Sequence, residues 1–221
     1  MGVELDQRFL PVYRLRPHRR AAMQIHVNSR HPEPRKIGQA HAALERGDVI
    51  AYPTDSVYGL GCDILSRKGV EALYRMKNMR QDQLLSFVCP DLADISRYAI
   101  VGDAAYRVMR RLLPGPYTFI LAATKEVPKS LRMKRKTVGV RVPSHPVTLA
   151  LTRALGRPLV STSASWEGEY LIDPAEIEAR FPDLALVLDS DEVGLTPSTV
   201  IDLSGDEPVL VRAGAGPVDF L

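Results

Sequence analysis

Two hydrophobic patterns alternate along the chain, and together they predict its secondary structure. Short apolar, β-branched runs predict strands, whereas amphipathic runs that end at glycine or proline predict helices. The predicted strands are residues 24–28, 48–52, 84–89, 117–122, 137–142, 158–162, 185–188, 198–203 and 208–212. The predicted helices are residues 33–46, 67–78, 91–97, 102–113, 145–155 and 174–180. This alternation predicts a single α/β domain built on a mixed sheet.

The run VIAYPTDSVYGLGCD at residues 49–63 shows where one predicted strand ends. Pro53 cannot donate to a strand ladder, and Thr54, Asp55 and Ser56 follow it with two hydroxyls and a carboxylate. Ligands of open α/β sheets collect where strands end, so we expect a binding site at this strand end. The alternative is a strand-to-turn corner with a polar tip.

Length and composition fit one large globular domain, because the chain has 221 residues with 45% hydrophobic and 25% charged content. It contains no long apolar run and no signal-peptide pattern, so we expect a cytoplasmic protein without membrane contact. Cys62 and Cys89 are the only cysteines. They are too few for a disulfide scaffold, so we expect reduced, structural thiols.

The net charge of +3 resides in the first 22 residues. This segment carries five arginines against two acidic residues, and basic and acidic residues balance in the remainder. We therefore predict a basic N-terminal extension at residues 1–22 and a domain at residues 23–221. The extension is either an arm that binds nucleic acid or the product of a translation start assigned upstream of Met23.

Charge is also segregated within the domain. Residues 125–141, the basic stripe, carry seven basic side chains and one acidic one, whereas residues 182–207 carry seven acidic side chains and no basic one. A solvated loop would explain the basic stripe without a function, whereas attraction of a polyphosphate or an RNA backbone would explain it with one. The residues expected to contact RNA are Lys129, Arg132, Lys134, Arg135 and Lys136.

Four further segments repeat the opening pattern, in which a β-rich stretch ends in hydroxyls, small residues or arginine. They are PGPYTF at residues 114–119, VGVRVP at 138–143, PLVSTSAS at 158–165 and PSTVID at 197–202. Arg141 stands in an otherwise apolar strand, which is costly unless it faces a groove or a carboxylate. Hydroxyls and backbone amides suit phosphate or carboxylate oxygens, so these segments predict one polar cleft.

These segments, in this order, resemble the YrdC/Sua5/YciO family over residues 24–216. The resemblance is carried by AYPTDSVYGLGCD, residues 77–89, PGPYTF, VGVRVPSHP, PLVSTSAS, PSTVID and VRAGAG. It implies a YrdC/RibB-like fold, a single-domain twisted mixed sheet with flanking helices around a large basic cleft. It also implies an L-threonylcarbamoyladenylate synthase, which combines L-threonine, bicarbonate and ATP, releases pyrophosphate and serves tRNA threonylcarbamoyladenosine. The alternative is a protein that binds double-stranded RNA or tRNA with weak or no synthase activity.

The resemblance also implies roles for individual residues. Arg141 would hold the threonine carboxylate, and Lys77 would neutralise the triphosphate while a carbamate oxygen attacks the α-phosphorus. Mg²⁺ would be held by ATP and water, with no protein side chain as ligand. The expected threonine-binding residues are Thr54, Arg141, Ser161 and Ser198. The expected nucleotide-binding residues are Lys77, Arg80, Thr118, Ser163, Ser165 and Arg212.

Three departures from the synthase pattern place the chain close to the YciO-like branch. The Lys-x-Arg motif becomes Lys77 followed by an arginine one position late, Arg80. An expected histidine is replaced near Val88, and the Ser-x-Asn motif ends in Ser165.

Structural explanations remain open for the same residues. Thr54, Thr118 and Ser198 could cap strands or helices. Arg141 could pair with an acidic residue such as Asp202, and Lys77 could complement a helix dipole. The glycines at residues 59–61 predict a tight turn that matches neither a dinucleotide fingerprint nor a P-loop. Trp166 could belong to the core or to the cavity wall.

Overall fold

The computed structural model describes residues 22–80, 83, 85–131, 136–190 and 193–219. Its strands are β1 (Met23–His26), β2 (Ile50–Tyr52), β3 (Gly59–Asp63), β4 (Ser86–Val88), β5 (Tyr117–Ala122), β6 (Thr137–Arg141), β7 (Leu159–Ser163), β8 (Ser165–Trp166), β9 (Glu169–Tyr170), β10 (Leu186–Asp189), β11 (Thr199–Asp202) and β12 (Val209–Arg212). Its helices are α1 (Pro34–Glu45), α2 (Arg67–Met76), α3 (Leu92–Tyr98), α4 (Asp103–Leu112), α5 (Pro146–Leu155) and α6 (Pro174–Arg180).

Ten strands form one mixed sheet in the order β1, β10, β2, β3, β7, β4, β6, β5, β11, β12, and β8 and β9 form a separate hairpin. The pairs β1–β10, β10–β2, β4–β6 and β5–β11 are parallel, and the other pairs in the sheet are antiparallel. The predicted α/β fold with a mixed sheet is therefore confirmed, and every predicted helix is present with ends shifted by at most two residues.

Helix ends follow the capping residues of the sequence. Ser66 accepts a hydrogen bond from the backbone of α2, Asp91 from that of α3 and Asp173 from that of α6. Gly156 ends α5 with a left-handed φ of 67°, a conformation that glycine adopts without a steric penalty. These local signals explain why the helices could be located from the sequence.

The tight turn predicted at residues 59–61 is wrong, because these residues form the start of β3. The strand pairs with β2 on one side and with β7 on the other. Its glycines are required by packing, since the buried ring of Tyr52 lies across them. A Cβ atom would come within 2.7 Å of the Tyr52 ring at Gly59 and within 2.8 Å at Gly61. Glycine in a strand can thus mark a close approach as well as a turn.

The two faces of the sheet bury different clusters, because successive strand residues point to opposite sides. One cluster joins residues such as Phe87, Phe119 and Val140 to helices α2, α3, α4 and α6. The other joins residues such as Ile50 and Leu159 to helices α1 and α5.

Helices α1 and α5 cover only half of the sheet face on which they pack. Their cluster contains residues of β1, β2, β4, β7 and β10, but no residue of β5, β6, β11 or β12 among the described positions. The face formed by those four strands therefore carries no helix of this pair. The polar residues of the candidate site lie on this face of the sheet.

Across the described part of the chain, no helix has the length and apolar character needed to cross a membrane. Residues 1–21 lie outside the described residues, so the predicted extension at residues 1–22 stays a prediction.

Candidate functional site

A cavity of about 280 Å³ lies on the face that α1 and α5 partly cover, and it extends from the uncovered strands β5, β6, β11 and β12 onto β4 and β7. Strands β4, β5, β6 and β7 each line it with residues two positions apart, which share one face of the sheet. These pairs are Ser86 and Val88, Thr118 and Ile120, Gly139 and Arg141, and Ser161 and Ser163. The strand register places Ser86 beside both Ser161 and Gly139. We expected the site at a strand end, but the polar residues meet on a sheet face because the strands are paired in register.

Arg141 is the charged group at the centre of this surface, and only 8% of it is exposed. Its Nη2 atom donates to Asp55 Oδ1, so the suggested pairing with Asp202 is wrong. The same Asp55 carboxylate accepts hydrogen bonds from Ser144 N at 2.8 Å and Ser144 Oγ at 3.0 Å. Arg141 Nε is buried and has no hydrogen-bond partner among the described residues. Asp55 thus engages one nitrogen of a guanidinium that also lines the cavity.

Ser161 is fixed by a buried tyrosine. Tyr52 donates to Ser161 Oγ at 2.5 Å, and Ser161 Oγ donates to the carbonyl of Leu60 at 3.2 Å. Burial raises the pKa of Tyr52 to about 12, so its hydroxyl stays protonated and remains a donor at neutral pH. With its only hydrogen engaged, Ser161 offers a ligand an acceptor only.

A second pair of hydroxyls lies beside Arg141, because the register of β5 and β6 continues to Thr118 opposite Arg141. Thr118 Oγ1 and Ser198 Oγ are 2.9 Å apart, and Arg212 Nη2 donates to Ser198 Oγ at 3.2 Å and to the Ser198 carbonyl at 2.7 Å. Within the described residues Arg212 has no carboxylate partner, so its positive charge is uncompensated. Arg212 therefore suits an anion such as a phosphate.

Thr54 lines the cavity, but its hydroxyl is engaged within its own loop. It donates to the Val57 carbonyl at 2.7 Å and accepts from Ser56 N at 3.0 Å. Ser163, in contrast, lines the cavity and makes no side-chain hydrogen bond within the described chain. Thr54 therefore shapes the loop, whereas Ser163 can bond directly to a ligand.

Comparison with known proteins identifies the family. A sequence model of Sua5, yciO and yrdC proteins, described as telomere recombination, matches residues 42–214.

The chain belongs to the Sua5/YciO/YrdC family.

The chain is similar to YciO of Escherichia coli in both sequence and structure. YciO of Escherichia coli K12 is 42% identical over 198 residues, which cover 88% of this chain and 96% of YciO. The crystal structure of E. coli YciO matches with a TM-score of 0.86 and 41% identity, covering 90% of this chain and 98% of that chain.

Synthases of the family are also similar. A threonylcarbamoyl-AMP synthase of Chromobacterium violaceum is 37% identical over 176 residues, covering 78% of this chain and 91% of the synthase. P. abyssi Sua5, solved in complex with L-threonine, matches with a TM-score of 0.80 and 30% identity, covering 87% of this chain and 58% of that chain.

Of the positions that depart from the synthase pattern of the Sua5/YciO/YrdC family, Val88 lines the cavity, whereas Arg80 and Ser165 lie outside its lining, as does Lys77. Lys77 Nζ donates to the carbonyl of Ser165 and, at 2.8 Å, to Ser165 Oγ, and lies 5.5 Å from the centre of the Phe181 ring. Burial lowers the pKa of Lys77 to about 8. Arg80 is exposed on the loop beyond α2. Two predicted nucleotide-binding residues, Lys77 and Ser165, thus bind each other.

Trp166 belongs to the edge of the core. Its ring packs against Phe181 at 5.8 Å between centroids, and Arg180 lies 5.7 Å from its centre. It is absent from the residues that line the cavity.

The basic stripe is only partly described. Lys129 and Lys136 are exposed, whereas Arg132, Lys134 and Arg135 lie outside the described residues. Lys129 lines a separate surface hollow with Arg67 and Tyr74.

Sequence reasoning assigned no role to Tyr52 or Ser86, and it placed Asp55 at a polar strand end without a partner. Ser86 could have been found, because it alternates with Val88 in a strand. No sequence signal connects Asp55 to Arg141, which lies 86 positions away. No cluster of histidine, cysteine and acidic side chains suited to a metal ion occurs in the part of the chain that the structure describes.

Proposed function

We propose that this protein is an L-threonylcarbamoyladenylate synthase-like nucleotidyltransferase that acts in the cytoplasm towards tRNA threonylcarbamoyladenosine. Its substrates are L-threonine, bicarbonate and ATP, and its products are threonylcarbamoyl-AMP and pyrophosphate. The observation that carries the proposal is Arg141, a nearly buried arginine that lines a cavity rich in serine and threonine hydroxyls. Kinship with the C. violaceum synthase and with Sua5 bound to L-threonine supports it.

The side chains that line the cavity support an amino acid beside Arg141 and phosphates beside Arg212. Arg141 can bind a carboxylate, and Ser161 can accept a hydrogen bond from the adjacent amine. Arg212 and the Thr118–Ser198 pair lie where phosphate oxygens can bind. The cavity volume is at the lower end of the roughly 300–1,000 Å³ of ligand pockets. The nucleoside would therefore extend towards the open side.

The proposed chemistry needs no protein nucleophile. Bicarbonate takes up a proton and loses water to give carbon dioxide, and the amine of L-threonine adds to it and releases a proton to form a carbamate. A carbamate oxygen then attacks the α-phosphorus of ATP, and pyrophosphate leaves. No carboxylate, histidine, cysteine or lysine lines the cavity among the described residues. Catalysis would thus rest on positioning and on charge stabilisation by Arg141 and Arg212. Mg²⁺ would enter with ATP, coordinated by phosphates and water.

Pyrophosphate release from ATP tests the proposal. We expect release by the full chain only when L-threonine and bicarbonate are both present, and we expect Arg141→Ala to abolish it. Arg157→Ala is the matched control, because Arg157 forms an ion pair with Asp63, with 2.5 Å between Nη2 and Oδ2, and neither residue lines the cavity. Release that is independent of L-threonine, or unchanged in Arg141→Ala, would refute the synthase.

RNA binding is the second candidate function. Lys125, Lys129 and Lys136 are exposed on the basic stripe, whereas Arg67, which lies beside Lys129, is paired with Glu71. Affinity for tRNA or double-stranded RNA should fall steeply with salt, because each phosphate contact releases counterions. Combined Lys125→Glu and Lys129→Glu substitutions should weaken it, whereas Arg35→Glu on α1 should not. Equal affinity at low and moderate salt would reject this candidate.

A further inference from the structure

Asp55 contacts Arg141 from outside the cavity. Arg141 lines the cavity, but Asp55 is absent from its lining. The side chains of both residues are 10% exposed. Asp55 is therefore placed to control the arginine without touching a ligand.

The Asp55 carboxylate is itself held in one orientation. Oδ1 accepts from Arg141 Nη2, and Oδ2 accepts from both the backbone nitrogen and the hydroxyl of Ser144. Asp55 follows β2, and Ser144 lies between β6 and α5, so the carboxylate ties two loops together. A carboxylate fixed at both oxygens also fixes the plane of the guanidinium that it binds.

The contact limits the directions in which Arg141 can donate. Nη2 gives one of its two hydrogens to Asp55, and Nε is buried without a partner among the described residues. Because the guanidinium is planar and held by Asp55, its remaining hydrogens point in fixed directions.

The contact also makes the two arginines of the cavity electrostatically different. Asp55 compensates Arg141, whereas Arg212 has no carboxylate partner among the described residues. Coulomb attraction grows with ligand charge, so an uncompensated arginine favours phosphate over a singly charged carboxylate. Arg212 is thus the better partner for phosphate, and Arg141 for a carboxylate.

We propose that Asp55 is a positioning and specificity residue that presets Arg141 for a planar, singly charged carboxylate and against phosphate. The inference rests on the proposed function, because it deepens the role of the same arginine. It predicts that the amino-acid substrate stays bound to Arg141 while ATP and pyrophosphate bind beside Arg212.

Calorimetric competition on the full chain tests this inference. The readout is the ratio of the inhibition constant of inorganic phosphate against bound L-threonine to the dissociation constant of L-threonine. A uniform loss of structure or a uniform gain of positive charge would move both constants together and leave the ratio unchanged. In Asp55→Asn we expect the ratio to fall at least tenfold, equal to about 1.4 kcal/mol. Asp55→Glu, which restores the charge, should recover most of the ratio.

Asp63→Asn is the matched control, because it removes a buried carboxylate from the remote pair with Arg157. Its ratio should equal that of the wild type. If Asp55→Asn does not fold, Ser144→Ala loosens the same carboxylate and should lower the ratio about threefold. An unchanged ratio in the folded Asp55 variant, an equal fall in Asp63→Asn, or a wild type that prefers phosphate would overturn the inference. Selective binding without pyrophosphate release would instead refute only the synthase.

Discussion

Substituting Gly59 by alanine tests the packing that joins β3 to the site. The new Cβ would lie 2.7 Å from Tyr52 Cζ and 2.9 Å from the Tyr52 hydroxyl. Tyr52 is fully buried and also packs over Gly61, so its ring has little room to move. Any shift of the ring would stretch the hydrogen bond to Ser161. The substitution should therefore destabilise the fold and disturb the cavity.

The expected loss of stability is about 2 kcal/mol. Overpacking a core position costs about 1–3 kcal/mol, and weakening one buried hydrogen bond adds about 1 kcal/mol. Lower entropy of the unfolded chain returns about 0.4–1 kcal/mol when glycine becomes alanine. For a chain of this size, the net loss corresponds to a Tm lower by about 4–8 °C.

Thermal and urea unfolding measure this loss against a control that the chain provides. Gly38 lies in α1 with nothing within 4 Å of an added Cβ, so Gly38→Ala should stabilise the helix by about 1 kcal/mol. In a Tyr52→Leu background, Gly59→Ala should cost almost nothing, because the ring that it meets is gone. An equal cost in both backgrounds would refute the packing argument.

Three further outcomes follow from the structure. Gly139→Ala should lower affinity for L-threonine about tenfold by calorimetry with little change in Tm, because the added Cβ lies 3.2 Å from Ser86 Oγ on the cavity floor. Lys77 should titrate near its lowered pKa of about 8 in an NMR titration of the lysines. Between pH 8 and 10.5 the folded state therefore binds fewer protons than the unfolded state, so Lys77 raises the free energy of unfolding as pH increases through that window. An unfolding free energy that depends on pH identically in Lys77→Met would contradict this. Asp63→Asn should cost about 2 kcal/mol in urea unfolding, between the values for exposed and buried pairs, while pyrophosphate release persists.

The fold was predictable where local signals agree with the tertiary structure. The helices are bounded by Ser66, Asp91, Asp173 and Gly156, all of which act through contacts within a few residues. β3 escaped prediction because its glycines are explained only by the ring of Tyr52, which reaches them from the neighbouring strand. The hairpin β8–β9 escaped because two-residue strands leave no hydrophobic period.

The site was predictable in composition but not in connectivity. Hydroxyls and Arg141 in separate strands predicted a polar cleft, and the structure brings Thr118, Ser161 and Ser198 to the same cavity as Arg141. The partner of Arg141 was not predictable, because Asp55 and Asp202 are equally acidic in sequence and only loop geometry selects between them.

The Lys77–Ser165 contact links two of the departures from the synthase pattern. Lys77 Nζ has three hydrogens, and Ser165 accepts through both its carbonyl and its hydroxyl oxygen. To reach a triphosphate in the cavity, Lys77 must give up hydrogen bonds that contribute about 1 kcal/mol each and leave the Phe181 ring. ATP must therefore provide more binding energy here than in a site where the lysine is already free. Arg212, which already lines the cavity, becomes the main cation for phosphate, and this makes the compensation of Arg141 by Asp55 more important in this chain.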